Sequence, residues 1–277
     1  MTIWNAIVLG LIQGIAEFLP ISSSGHLSIF NNLFDMSTTV NGHLLFDVLL
    51  HLATLASICI VYWQDIVNMF YEVMGFVNVG PLAGQTKKHY PAARMFFMII
   101  MATLPLFLIL PFQDMLDGLY YQNVFIGIAL ILTGCVLYVS DRMTPGNKTE
   151  KNMTVLDAVL IGLCQMAATI PGLSRSGVTI TGGVAVGLRR DYAVKFSFLL
   201  SIPAVLGANI LTLVDAFQTG VDWSCIPAYL IGMVVALNAG ILSLSFLKRL
   251  TEKGKFGGFA YYCWVVGVLS IILSMIF

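Results

Sequence analysis

The stretch EFLPISSSGH, Glu17 to His26, interrupts a run of apolar residues that otherwise reads as a membrane segment. Six of its ten residues are ones a lipid-facing helix avoids: a carboxylate, a proline, three serines and a histidine. Non-helical backbone at membrane depth is tolerated only where it is buried in protein or lines a water-filled cavity. The interruption therefore predicts a loop that enters the membrane and faces a polar cavity.

Composition agrees with a membrane setting. The chain has 277 residues, 58% hydrophobic and 10% charged, with mean hydropathy +0.89. Soluble domains are about a quarter charged, so the composition predicts an all-α integral membrane protein. A net charge of zero offers no case for a nucleic-acid partner. The cysteines Cys59, Cys135, Cys164, Cys225 and Cys263 are scattered without a C-x-x-C pair and read as small buried hydrophobes. No basic region precedes the first apolar stretch (Met1 to Asn5), which is expected to be retained rather than cleaved.

A hydrocarbon core of about 30 Å needs roughly 20 helical residues. Six segments meet or approach that length: Leu44–Val61, Met95–Leu110, Val124–Val139, Ala193–Val214, Ile226–Phe246 and Phe259–Phe277. Two regions differ. Ile3–Leu19 and Val155–Ile170 each run into a proline-containing polar loop, PISSSG and PGLSRSG, followed by a short apolar piece, Leu27–Phe34 and Val178–Leu188. Those second pieces reach only roughly 12 to 17 Å at about 1.5 Å per residue, half a bilayer.

Cytoplasmic connections are enriched in Lys and Arg. Four connections here are basic: Lys87, Lys88 and Arg94; Arg142, Lys148 and Lys151; Arg189, Arg190 and Lys195; Lys248, Arg249, Lys253 and Lys255. The alternate connections, DMSTTVNGH, QDMLDGLYYQ and FQTGVDWSC, carry no basic residue. Val155–Leu188 is basic on both flanks, so it is expected to enter from and return to the cytoplasm. By the same count the N-terminal pair enters and returns from outside. The predicted architecture is six transmembrane helices plus two re-entrant helix-loop-helix hairpins whose tips meet.

An internal repeat supports this plan. The spacing Q-x8-S-x-S-G fits Gln13, Ser22, Ser24 and Gly25, and again Gln165, Ser174, Ser176 and Gly177; FDVLLHLA (Phe46–Ala53) echoes FSFLLSIP (Phe196–Pro203). One polytopic domain, 1–277, would contain inverted-topology repeats at about 1–140 and 152–277, each with one hairpin and three spans, as in many transporters.

The polar residues form a candidate site. Gln13 and Glu17 are four apart and share a helix face. Ser22, Ser23, Ser24 and Gly25 are expected to form one turn, with His26 opening the next helix. Ser174, Arg175, Ser176 and Gly177 are expected to form the other, with Thr179 on the first turn that follows. Both tips would aim a helix N-terminus and hydroxyls at one place, which suits an anion. Arg175 is the only basic residue outside the four basic connections. An intramembrane arginine marks a partner or a pathway, and its planar fork suits phosphate oxygens; its alternative reading is an ion pair with Glu17 that ties the halves together. His26 alone would read as a helix-start histidine. His51 and Asp47 read equally as packing, supporting or catalytic groups, His43 and His89 as loop residues, and Thr181–Gly187 as close helix packing. Carboxylate, hydroxyl, imidazole and guanidinium together suit phosphoryl transfer.

These residues resemble the undecaprenyl-diphosphate phosphatase family of bacteria, also called the bacitracin-resistance protein family. QGIAEFLPISSSGH is similar throughout to that family's first motif, with Gln13 at a position that is Glu or Gln, and PGLSRSGVT is similar to its second. The resemblance covers essentially the whole chain. It implies a multi-pass enzyme of the bacterial plasma (inner) membrane that hydrolyses undecaprenyl diphosphate to the monophosphate and inorganic phosphate. That activity recycles the carrier of peptidoglycan synthesis and lowers sensitivity to bacitracin. The resemblance also implies a divalent cation, Mg²⁺ or Ca²⁺, and a site open toward the outer face. Glu17, Ser23, His26 and Arg175 fall on catalytic positions; Gln13, Ser22, Ser24, Ser174, Ser176 and Thr179 fall on substrate-binding ones. Glu17 is the metal-ligand candidate, although Gln13 removes the second acid of a two-carboxylate site.

The mechanism so implied has Ser23 attack the terminal phosphorus, with Glu17 or His26 taking its proton and Arg175 neutralising the phosphate. Alternatively His26 is the nucleophile or activates water. The partners are a polyprenyl diphosphate and membrane lipids, with a homodimer left open. A lipid-phosphate flippase or anion carrier on the same repeat is the alternative function.

Overall fold

Helix starts and stops follow local chemistry along the chain. The computed structural model describes residues 1–34, 44–77, 90–219, 223–252 and 256–276, and the following refers to those. His43, His89, Lys87, Lys88, Lys253 and Lys255, read above as loop residues, lie outside them.

Thr2 caps α1 (Ile3–Ala16) by accepting from the Asn5 N–H, and Pro20 follows its end. Next come α2 (Ser23–Phe34), α3 (Leu44–Val61), α4 (Trp63–Phe76) and α5 (Pro91–Thr103). Two prolines, Pro105 and Pro111, lie in the 3₁₀ extension of α5, Leu104–Phe112. A short α6 (Gln113–Asp117) leads to α7 (Asn123–Arg142). The second half contains α8 (Val155–Ala167), α9 (Arg175–Ala185), α10 (Arg190–Thr219), α11 (Ile226–Glu252) and α12 (Gly257–Ile276). A capping box, Thr154 with Asp157, starts α8.

The chain is all-helical among the described residues apart from one isolated bridge, Lys148 to Leu188. Five helices, Pro91–Phe112, Asn123–Arg142, Arg190–Val214, Trp223–Thr251 and Gly257–Ile276, are long and apolar enough to cross a membrane. A sixth is reached if α3 and α4 count as one bent span. The outer surface is apolar, with Phe107 63% and Leu242 70% exposed.

Three expectations need correction. Trp63–Phe76, absent from the predicted spans, is a helix bent 76° from α3. Gln64, Asp65, Asn68 and Glu72 break up its apolar content, so a search for continuous apolar runs passes over an amphipathic helix. Its Glu72 accepts from the N–H groups of Ala92 and Ala93, capping α5, which Tyr90 does not cap. The helices after the two loops also begin earlier than expected. Ser23 and Ser24 belong to α2, so His26 lies inside it; Arg175 opens α9, so Thr179 is on its second turn. The cause is the preceding serine, whose hydroxyl serves as a cap. Finally, Cys135 is exposed on the outer surface, although Cys225 and Cys263 are buried as expected.

Close pairing arranges these pieces. A Cβ added at Gly10 would stand 2.5 Å from the Gly232 carbonyl, and one at Gly14 would stand 2.6 Å from that of Ala236. Small residues thus let α1 and α11 touch backbone to backbone, running parallel. Gly162 of α8 meets the Ala102 carbonyl of α5 in the same way. In Thr181–Gly187, Gly182 packs on Cys164 and Gly183 on Ala193, the close packing expected there.

Contacts join the basic connections into one layer. Arg94 donates to the Met153 carbonyl (2.7 Å), Lys148 pairs with Asp157 (2.9 Å) and Lys195 with Asp65 (2.8 Å). Arg190 donates to the Ser140 and Met143 carbonyls, Phe256 N–H donates to Asp141, and the Lys248 ammonium sits 4.8 Å over the Tyr62 ring. Burial raises the Asp157 carboxyl, but the Thr154 N–H, Lys148 and the Thr154 hydroxyl outweigh it and leave the group below its usual range.

Candidate active site

The first polar loop is built on the end of α1. Gln13 and Glu17 share a face, and the Gln13 amide donates to Glu17 Oε2 at 3.2 Å. The backbone then turns through Pro20 to Ser22, whose φ of 72° lies in the left-handed region. A non-glycine residue there is uncommon and needs local compensation. Ser22 supplies it: its hydroxyl accepts from the Gly25 N–H (3.2 Å) and lies 3.3 Å from Ser24 Oγ. Its carbonyl accepts from the His26 N–H (3.3 Å) and meets His26 Nδ1 at 2.7 Å.

The second loop repeats the serine cap on a different backbone. Here the left-handed residue is Gly172 (φ 90°), where a Cβ would stand 2.7 Å from that of Ala129. Thr133 of α7 fastens the loop by donating to the Gly172 carbonyl (3.3 Å) and accepting from the Ser174 N–H (3.1 Å). Ser174 caps α9 by accepting from the Gly177 N–H (3.1 Å), with Ser176 Oγ 3.3 Å away. Thr179 donates to the Arg175 carbonyl (2.7 Å) and lies 2.5 Å from the Ser197 hydroxyl.

The two tips meet. Gly172 N–H points to Ser24 Oγ (3.5 Å), and Arg175 pairs with Glu17 Oε1. Ser23 donates its hydroxyl to Glu17 Oε2 at 2.6 Å. Glu17, 8% exposed, thus gathers an amide, a hydroxyl and a guanidinium. The ion pair considered from sequence is present and engages one terminal nitrogen of Arg175. Both α2 and α9 start at this junction, so their unpaired N–H groups gather there.

Not every candidate converges on Glu17. His26 turns away from it, with Nδ1 on Ser22 and Nε2 on the hydroxyl of Tyr262 in α12. The hydroxyls of Ser174, Ser176 and Thr179 are engaged in the second hairpin and with Ser197. His51 sits on α3, with its Nδ1 2.9 Å from the Asp47 carbonyl. Sequence reading missed Thr133, Ser197 and Tyr262. Only Ser197 carried a signal, since the FDVLL/FSFLL echo sets it opposite Asp47.

The donor set poorly fits a cation held by protein alone. Hard divalent cations take about six or more oxygens. Both oxygens of Glu17 already receive protein donors, which leaves Gln13 Oε1, a buried acceptor without a hydrogen-bond partner among the described residues, as a single neutral oxygen to offer. No cluster of three His, Cys, Asp or Glu exists among the described residues.

Comparison with known proteins agrees with the motif reading. The family model described as "Bacitracin resistance protein BacA" matches residues 6–269. A protein of Methanosphaera stadtmanae named undecaprenyl-diphosphatase is 37% identical over 281 residues, covering 100% of this chain and 99% of its own. One of the same name from Desulforapulum autotrophicum is 38% identical over 280 residues, covering 100% of both chains. A third, from Carboxydothermus hydrogenoformans, is 37% identical over 277 residues, 99% of this chain and 98% of its own.

Proposed function

The chain belongs to the bacitracin resistance protein BacA family, and from that premise we propose that it is a membrane phosphatase hydrolysing undecaprenyl diphosphate to undecaprenyl phosphate and inorganic phosphate. The observation that carries this reading is the Ser23–Glu17–Arg175 junction: a hydroxyl hydrogen-bonded to a carboxylate beside a guanidinium, where two helices begin. Such an enzyme returns the lipid carrier to peptidoglycan synthesis and removes the diphosphate that bacitracin sequesters.

The mechanism follows from the hydrogen bonds. Ser23 Oγ attacks the terminal phosphorus as its proton passes to Glu17 Oε2; the bridging P–O bond breaks and the lipid monophosphate leaves. Water then attacks the phosphoserine, inorganic phosphate leaves, and Glu17 returns the proton to Ser23. Arg175 and the N–H groups of α2 and α9 neutralise the phosphate oxygens. Of the two bases weighed from sequence, the 2.6 Å contact favours Glu17. An incoming phosphate competes for Arg175, and releasing Glu17 from that pair makes its carboxylate more basic when a proton must be taken.

The divalent cation, Mg²⁺ or Ca²⁺, arrives on this reading with the diphosphate, because the described residues place no cluster of three His, Cys, Asp or Glu at Glu17 to hold it alone. The prenyl chain lies in lipid-facing apolar grooves such as the 600 Å³ one lined by Leu11, Ile15, Val234, Asn238, Leu242 and Phe246. The test is phosphate release from a long-chain polyprenyl diphosphate by purified protein in detergent, titrated with Mg²⁺ or Ca²⁺. Rates should follow the cation–diphosphate complex rather than free cation. Absence of release sinks the hydrolase reading, and detergent leaves no compartments for a carrier to work between.

The finer topology completes the proposal: six spans, with α3 as one, and two re-entrant hairpins, α1–α2 from outside and α8–α9 from the cytoplasm, in inverted repeats. The single layer formed by the basic connections supports it. The site then opens outward, in a bacterial plasma membrane, and a homodimer is compatible with it. Cysteines introduced at positions 35–42 and 113–121 should react with an impermeant thiol reagent in intact cells, and cysteines beside Lys87, Lys148, Arg190 or Lys253 should not. Labelling beside only one of Lys148 and Arg190 removes the second hairpin.

A further inference from the structure

Two hydrogen bonds fix where His26 carries its proton. Nδ1 lies 2.7 Å from the Ser22 carbonyl oxygen, which can only accept, so Nδ1 bears the hydrogen. In the neutral ring Nε2 is then a bare acceptor, and the Tyr262 hydroxyl, 2.8 Å away, must donate to it. The two rings are nearly parallel, 7° apart with centroids separated by 5.6 Å. Tyr262 is 43% exposed, so α12 sets it at the rim of the site rather than in the core. Ser23 meanwhile gives its hydroxyl to Glu17 and makes no use of the imidazole.

We propose that Tyr262 is a positioning residue for the phosphatase reaction: by donating to Nε2 of the Nδ1–H tautomer that the Ser22 carbonyl fixes, it sets the ring of His26 and holds the basic Nε2 nitrogen toward the α12 side of the site. The proposal rests on the hydrolase reading above. It divides the polar groups into two hydrogen-bonded pairs, Ser23 with Glu17 and His26 with Tyr262, which act on the substrate from different sides. The pairing comes from opposite ends of the chain, which is why the motif around His26 contains no hint of its partner. Without the phenolic hydroxyl, Nε2 loses its donor and one of the two bonds that hold the ring is gone, while the Ser22 carbonyl keeps the hydrogen on Nδ1. Ser22 has a part in the same arrangement: its left-handed backbone presents the carbonyl that fixes the other nitrogen.

The test uses Tyr262→Phe in the full chain purified in detergent, which removes one oxygen and keeps the ring. Phosphate release gives kcat and KM, thermal unfolding gives stability, and side-chain ¹⁵N spectra of histidine-labelled protein, with only four histidines to assign, report the tautomer and the hydrogen bond at Nε2. The expected result is a kcat lower by about tenfold, the scale of one lost hydrogen bond. KM and thermal midpoint should stay unchanged, and the His26 Nε2 signal should shift as it loses its donor while Nδ1 keeps its hydrogen. Unchanged kcat and unchanged His26 signals overturn the proposal. A lower kcat with an unshifted His26 Nε2 signal does so too, because Tyr262 would then touch substrate itself. A fall in thermal midpoint matching the lost activity assigns Tyr262 to packing. Failure of the wild-type protein to release phosphate defeats the hydrolase reading instead, and the nitrogen spectra still decide whether Tyr262 donates to His26 Nε2.

Discussion

Arg175→Ala is expected to lower phosphate release by roughly 10³-fold or more, the range in which phosphoryl-transfer enzymes respond to loss of an arginine that neutralises the transferring group. The substitution also strips Glu17 of its guanidinium partner, and a buried carboxylate left alone destabilises the fold. Arg175→Lys separates the two effects. Lysine keeps one positive charge to pair with Glu17 but lacks the planar fork that grips phosphate oxygens bidentately. It should fold and extract normally while losing at least about tenfold in turnover, equivalent to about 1.4 kcal/mol. Phosphate release at saturating lipid substrate, with thermal unfolding alongside, provides the check. Full turnover in the lysine variant eliminates the bidentate clamp. A loss of stability in proportion to the loss of activity leaves Arg175 as a tie between the hairpins.

Glu17→Gln isolates the proton-transfer role. The amide is isosteric and keeps one oxygen that can accept from Ser23 or Arg175, but it cannot take the serine proton. Positioned general bases contribute about 10² to 10⁴ in rate, so turnover should fall by that amount with the thermal midpoint little changed. The double variant Glu17→Gln with Arg175→Ala should recover stability relative to Arg175→Ala alone, because no unpaired carboxylate remains, yet stay inactive. Near wild-type phosphate release by Glu17→Gln would pass the base role to His26.

How far these features could be read from sequence depended on whether the signal was local. The long spans are legible because Asn123–Arg142 or Gly257–Ile276 is apolar over enough residues to cross a bilayer. The meeting of the two tips was legible because Glu17 and Arg175 stand among serines at a proline break, where lipid exposure is excluded. The helix starts at Ser23 and Arg175 were misplaced because a serine ahead of a helix reads equally as turn or cap. The α4 helix was hidden by its four polar residues, and Tyr262 by its likeness to any aromatic residue in a span. Helix partners were not legible at all: nothing at Gly10 names Gly232 as the residue it will touch.

That last contact constrains how the protein is made. The face of α1 that carries Gly10 and Gly14 is completed by α11, roughly 220 residues later in the chain. At about 5 to 20 residues per second, the ribosome reaches that partner on the order of ten to forty seconds after α1 emerges. For most of that interval the first polar loop, with Glu17 and its serines, lacks Arg175, and for all of it lacks the completed α11. Biogenesis must therefore shelter an unpartnered α1 and its polar loop until nearly the whole chain has been synthesised. A nascent chain released before Ile226 loses the helix against which its first segment closes.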